Sequence, residues 1–253
     1  MKRRGRLPAL LVALGLALPS CAALAQPKSV GNLASREGRK KVTGGLPEEP
    51  FRDLKVPDKL PERMRVKTGE ASGARVTIGR YQGAVRIGPK SQLELRRAIL
   101  DFATGRVDEL DFWAELGRLR FVFFRPPGDA SQSPLGAAPG EVWIRTPNGT
   151  EVRLAGTDVQ VEVAKDGSTS VYVIEGAVSV RSRDGSEVRV EAGRWTWVGI
   201  DLPPTPPAPF GVGTDAPGPG PFPEDLGIPP DPPSLSPERD GFARDLPKAG
   251  PPP

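Results

Sequence analysis

Histidine is absent from this chain of 253 residues, and cysteine occurs once, at Cys21. A single cysteine cannot close a disulfide within the chain. Without imidazole, His-dependent triads, cysteine proteases, zinc fingers and His-ligated catalytic metals are excluded. A serine nucleophile has no setting either, because neither Gly-x-Ser-x-Gly nor Ser-x-x-Lys occurs. Calcium would need an Asp-x-Asp-x-Asp loop; Asp166-Gly167-Ser168 and Asp184-Gly185-Ser186 are too sparse and read as turns. Cationic excess is missing from most of the chain. Lys+Arg 35 against Asp+Glu 31 gives +4, but Lys2, Arg3, Arg4 and Arg6 supply all of it, and no acid precedes residue 26. With no overall basic charge to displace counterions, nucleic acid is not an expected partner.

Acid–base hydrolysis by two carboxylates is the one simple reaction left. Asp101, Asp108, Glu109, Asp111 and Glu115 cluster in sequence. A glycosidase needs two carboxyls facing one bond across about 5–10 Å, and sequence clustering does not supply that. A solvated helix face accounts for these acids, so no catalytic residue, cofactor or metal ligand is assigned.

Residues 1–25 read as a secretory signal peptide. A basic start is followed by the apolar run Leu7–Leu18 and by Ala23-Leu24-Ala25, a small-x-small cleavage site. Leu18-Pro19-Ser20-Cys21 also resembles a lipoprotein box, with Pro19 departing from the pattern. Cleavage after Ala25 is the expectation, and lipidation at Cys21 the alternative. No later apolar stretch approaches the ~20 residues of a spanning helix, so the mature chain is expected in the periplasm or outside the cell, without a transmembrane helix.

Composition shifts at residue 201. From Asp201 to Pro253, 18 of 53 residues are proline, with eight acids against three bases. Proline fixes φ and removes a donor, so residues 201–253 read as a disordered proline-rich tail. The body, residues 26–200, reads as mostly β. Val76 and Ile78 alternate with Arg75 and Thr77, and ten further short runs from Tyr81–Ile87 to Arg194–Val198 follow. Asp166-Gly167 and Asp184-Gly185 are hairpin turns, because these residues accept positive φ. Val107, Leu110, Trp113, Ala114 and Leu116 approximate one helical face, and a short amphipathic helix ending at Gly117 is expected there.

Three segments carry a family resemblance. The first runs from Lys67-Thr68-Gly69-Glu70-Ala71-Ser72 through Ala74-Arg75-Val76 to Gly88-Pro89-Lys90-Ser91-Gln92-Leu93-Glu94-Leu95. The second is Val142-Trp143-Ile144-Arg145-Thr146-Pro147-Asn148-Gly149-Thr150, leading to Gly156-Thr157-Asp158-Val159. The third is Val173-Ile174-Glu175-Gly176-Ala177-Val178-Ser179-Val180 with Glu191-Ala192-Gly193. In this order they resemble the extracytoplasmic FecR domain of bacterial envelope proteins, over roughly residues 28–200. The resemblance implies an all-β, jelly-roll-like β-sandwich, here with one short helix. It also implies a sensing or adaptor module that binds an envelope protein or a polymer such as peptidoglycan. Members that relay a receptor's state to a sigma factor carry a cytoplasmic segment and a membrane helix where this chain has a leader, so direct sigma-factor control is not expected. A structural envelope component, anchored through Cys21, is the alternative.

The motif positions Thr68, Gly69, Ser72, Gly88, Thr146, Pro147, Gly156, Thr157 and Gly176 have a structural explanation at strand reversals, where glycine relieves unusual φ. Thr157 could satisfy a backbone donor at a bend. The candidate contact residues are Trp143, Trp195 and Trp197. Trp195 and Trp197 lie two apart on a strand and share a face, between Arg194 and Thr196, which read as solvent-facing. An indole offers an apolar plane and an N–H donor to a sugar or peptide; packing under the helix is the plainer role.

Overall fold

The computed structural model describes residues 29–38, 41–79, 83–101, 106–123 and 140–211. The expected signal peptide and the part of the proline-rich stretch beyond Gly211 lie outside these described residues. Seventeen strands follow in chain order: β1 Ser29–Gly38, β2 Val42–Gly45, β3 Arg52–Asp53, β4 Lys59–Pro61, β5 Arg65–Thr68, β6 Ser72–Ile78, β7 Gly83–Ile87, β8 Gln92–Asp101 and β9 Arg106–Val122. After a break come β10 Glu141–Arg145, β11 Glu151–Leu154, β12 Asp158–Val163, β13 Thr169–Glu175, β14 Ala177–Arg181, β15 Glu187–Glu191, β16 Arg194–Val198 and β17 Ala208–Pro209.

Pairing arranges them as two layers that share β9. One, sheet A, runs β4-β1-β6-β7-β9-β12-β13-β16-β17. The other, sheet B, runs β3-β2-β5-β8-β9-β10-β11-β14-β15. The N-terminal part of β9 belongs to sheet B and its last residues to sheet A. Hairpins in the second half alternate between layers: β10–β11 in B, β12–β13 in A, β14–β15 in B. The β9–β10 pair is the parallel one among the described pairings.

Alternation explains why these residues pack this way. Val142 and Ile144, Val152 and Leu154, Val178 and Val180 turn inward from sheet B; Val159, Val161, Val171 and Val173 turn inward from sheet A. They form one buried cluster, and each such side chain contributes about 1.5–3 kcal/mol when removed from water. Phe112 and Phe121, from the two halves of β9, meet across that core with ring centroids 5.3 Å apart. The β-sandwich architecture expected from the sequence is therefore present.

The expected helix is not. Residues 107–116 lie within β9, which is extended throughout. Leu110, Phe112 and Ala114 are fully buried, while Glu109, Asp111, Trp113 and Glu115 stand on the other face. This is a period of two, and the segment satisfies it as well as a helical period because its acids and apolar residues alternate. Gly117 does not cap a helix. With φ +87°, it lets β9 pass from sheet B to sheet A, and a Cβ there would lie 2.7 Å from the Ser91 Cα.

Candidate functional site

The family-motif residues build two corners of the sandwich. At the first, Thr68 Oγ1 donates to the Gly88 carbonyl at 2.6 Å and accepts from the Ser91 N–H at 3.0 Å. Ser91 Oγ then accepts from the Arg118 N–H at 2.9 Å, just past the Gly117 crossing. Gly69 supplies its carbonyl to the Lys90 N–H, and the Gly88 N–H donates to Arg118 O. Ser91, missed as a key residue from sequence, ties the Thr68 corner to β9. Ser72 is buried beside it, and its hydroxyl has no hydrogen-bond partner.

The second corner centres on Asn148. Its Oδ1 accepts from Thr146 Oγ1 at 2.6 Å, Thr150 N at 3.2 Å, Thr150 Oγ1 at 2.9 Å and Thr169 Oγ1 at 3.3 Å. Its Nδ2 donates to the carbonyls of Val198 at 3.1 Å and Gly199 at 3.3 Å. The Thr146-Pro147-Asn148-Gly149-Thr150 turn is thereby pinned to β13 and to the end of β16. The same backbone pattern recurs at Asp166-Gly167 and Asp184-Gly185, the two hairpin turns expected from sequence. There the aspartates bond locally, and hydrogen bonds from neighbouring serines hold both carboxyls below the usual carboxylate range. Gly156 and Gly176 adopt φ +66° and +83°. The Thr157 hydroxyl does not play the expected bend-capping role: it is buried without a hydrogen bond, and its methyl packs over Gly176.

The three candidate tryptophans do not form one surface. Trp195 and Trp197 stand on the outer side of sheet A. Thr196, read from sequence as solvent-facing, is fully buried and donates to the Thr205 carbonyl at 2.6 Å. Residues 202–210 form a strap over the β16 edge. Thr205 and Trp197 exchange two hydrogen bonds, β17 pairs with β16, and Leu202 reaches the Trp197 side of Gly199. Trp195 stacks on Tyr172 at 5.6 Å, and Phe210 meets Tyr172 edge-on at 5.7 Å. The Trp195 indole N–H is buried and has no partner. The first part of the proline-rich stretch is thus packed against the body, and these rings are partly covered by it.

Trp143 stands on the opposite side of the molecule, on the outer face of sheet B, pointing away from Val142 and Ile144 as its alternation requires. Parallel pairing of β9 with β10 puts Asp111 opposite Trp143 and Trp113 opposite Arg145. A helical period at 107–116 groups Trp113 with Leu110 and Ala114, whereas the extended β9 puts it on the outer face. Arg96 lies 3.7 Å from the Trp113 ring centroid; Arg153 and Arg145 lie 5.4 and 5.7 Å from that of Trp143. Each such cation–π contact contributes about 0.5–1 kcal/mol at exposed sites. Ion pairs join the row: Arg145 with Asp111, Arg145 with Glu151 at 3.0 Å, and Arg153 with Glu141 at 2.7 Å. Burial pushes the Asp111 carboxyl up against the pull of Arg145 and Arg96, and its Oδ1 has no hydrogen-bond partner. Of the five acids clustered in sequence, Glu109, Asp111 and Glu115 belong to this charged face. Among the described residues no group of three His, Cys, Asp or Glu side chains is placed to hold a metal ion. No described helix is long and apolar enough to cross a membrane.

Fold and face together define a two-sheet β-sandwich with one open aromatic–arginine surface and one strapped aromatic edge. No family model matches the chain, and no curated protein matches it. Two crystal structures of a putative anti-sigma factor from Parabacteroides distasonis ATCC 8503, at 1.65 and 2.50 Å resolution, are similar to it at 15% and 16% identity. Their TM-scores are 0.43 and 0.42, and each match covers 57% of this chain. The chain spans 59% of the length of that protein.

Proposed function

We propose that this chain is a FecR-like recognition module of the bacterial cell envelope, without enzymatic activity. It acts as a sensor or adaptor that binds an envelope protein or polymer through the outer face of sheet B. Support for the family comes from the three sequence motifs, whose residues occupy the corners of an all-β sandwich. The observation that carries the binding role is the face itself. Trp113 and Trp143 lie among Arg96, Arg145 and Arg153 with Asp111, Glu141 and Glu151, so donors, acceptors and apolar rings are presented together. Trp and Arg are the side chains that most often dominate interface energetics.

The test compares Gln26–Pro253 with its Trp113→Ala/Trp143→Ala variant for retention of envelope components, with a thermal melt of each. The double variant should keep its fold and lose about thirtyfold in affinity, the equivalent of about 2 kcal/mol. Equal retention by both would refute this surface. The second reading, a structural component anchored by lipid, rests on Leu18-Pro19-Ser20-Cys21. Mass spectrometry of the native N-terminus separates the two: Gln26 fits a periplasmic or secreted module, acylated Cys21 a lipoprotein.

A further inference from the structure

Each sheet ends in two edge strands among the described residues: β4 and β17 in sheet A, β3 and β15 in sheet B. A long, regular edge is a template for another strand, and proteins blunt it with short strands, proline or bulges. Three of these edges are blunted. β3 is the dipeptide Arg52–Asp53 just after Pro50, β4 ends on Pro61, and β17 is the dipeptide Ala208–Pro209 in a run that also holds Pro203, Pro204, Pro206 and Pro207. β15 differs. It has five residues, no proline stands between Pro147 and Pro203, and it pairs with β14 without a register shift. The hairpin fixes which of its groups are free. The Ser182 N–H donates to the Ser186 carbonyl and the Ala192 N–H to the Gly176 carbonyl, each at 2.9 Å. Bonded and non-bonded pairs alternate along an antiparallel ladder, so Val188 and Val190 bond to β14, and the N–H and C=O of Glu187, Arg189 and Glu191 point away from it. Among the described residues these outward groups meet no partner. The three charged side chains are exposed, and Val188 between them is half-buried against the core.

This open edge is complementary to itself. When two copies of β15 run antiparallel about a two-fold axis, outward-bonding residues face one another. An axis at Arg189 sets Arg189 against its own copy and Glu187 against Glu191. Like charges directly opposite repel and unlike charges attract, so charge rejects that register. An axis at Val188 sets Glu187 opposite Arg189 on both sides, and each of these pairs exchanges two backbone hydrogen bonds. It also covers the half-buried Val188 with its own copy. An axis at Val190 matches Arg189 with Glu191, but Val190 is already fully buried, so no apolar surface is gained there. We propose that β15 joins this chain to a second copy of itself, antiparallel, with Val188 on the axis. Such a contact uses the same patch on both molecules and closes at two. The axis stands perpendicular to the sheet, so the outer faces of both sheets B, each with its Trp113 and Trp143, look to the same side. The pairing does not depend on the binding role proposed above; it doubles the face that role uses.

The test is sedimentation velocity of Gln26–Pro253 over a concentration series, with a thermal melt of every variant. The parent should pass from monomer to dimer as its concentration rises through the micromolar range. Glu187→Arg and Arg189→Glu change exposed side chains and should keep the melt. Each sets like charges opposite one another twice, and each should dimerise at least about tenfold more weakly. An equimolar mixture of the two variants restores both unlike pairs and should recover the dimer. Trp113→Ala/Trp143→Ala should dimerise as the parent does, so failure of this pairing and failure of the binding face are separate results. A parent that stays monomeric up to millimolar concentration, a Glu187→Arg variant that dimerises like the parent, or a mixture as weak as its components would overturn the proposal.

Discussion

Replacing Asn148 by alanine removes the point at which one hairpin turn is fastened to two other strands. Three groups of contacts are lost. The Nδ2 bonds to the Val198 and Gly199 carbonyls act as one shared donor and contribute about 1 kcal/mol net. The Thr150 N–H loses its acceptor, at about another 1 kcal/mol. The hydroxyls of Thr146, Thr150 and Thr169 are fully buried; they keep partial alternatives, such as the 3.2 Å contact between Thr169 and Thr146, and their loss costs about 1 kcal/mol more. The sum is about 3 kcal/mol, or a fall of about 6–12 °C in Tm for a domain of this size. Differential scanning calorimetry on the full chain measures it. Asn148→Asp keeps the acceptor and the turn but removes the Nδ2 donor and sets a carboxylate against two carbonyls, so it should also melt well below the parent. Asp184→Ala, in the same kind of turn but with bonds that stay within the turn, two of them exposed, should fall less than either. The reasoning fails if Asn148→Asp melts like the parent, or if Asn148→Ala and Asp184→Ala lose the same amount.

Two further outcomes follow from the crossing and the strap. Gly117→Ala should cost about 2–4 kcal/mol, since it combines positive φ with a clash against the Ser91 backbone; a chemical denaturation midpoint close to the parent's would show that β9 can cross between layers without that backbone conformation. Truncation after Ile200 should lower Tm by several degrees, because it removes the Thr205 bonds, β17 and the Phe210 contact with Tyr172, whereas truncation after Gly211 should leave the melt nearly unchanged. Identical melts for the two truncations would mean that the strap contributes nothing.

Strand periodicity was legible in short runs of the second half where one face is buried and the other wet. Val142-Trp143-Ile144, Val178-Ser179-Val180 and Val188-Arg189-Val190 alternate plainly, and β10, β11, β14, β15 and β16 begin and end where the sequence places them. The Asp-Gly turns were legible for a local reason, since the positive φ of Gly167 and Gly185 is accepted by the residue itself, whatever its surroundings. By contrast β1 to β5 were not read as strands at all. They are short, interrupted by Pro47, Pro50, Pro57 and Pro61, and held by partners distant in sequence, as in the pairing of β1 with β6 and of β5 with β8.

The sequence by itself determined an all-β body, its turn chemistry and the charge segregation between body and tail. Those properties depend on neighbours within a few residues. Only the tertiary structure decided the rest. Residues 107–116 fit periods of two and of 3.6 alike, and β8 and β10 on either side select the extended form. Trp195 and Trp197 share a face as their spacing requires, but which face is core is settled by Val171, Val173 and Val198 packing inward and by a strap arriving from residues 202–210. Trp143 and Trp113, 30 positions apart, become neighbours only through the β9–β10 pairing. Local periodicity states that a side chain alternates; which side it faces, and beside whom, depends on strand pairings that the chain makes across long stretches of its own sequence.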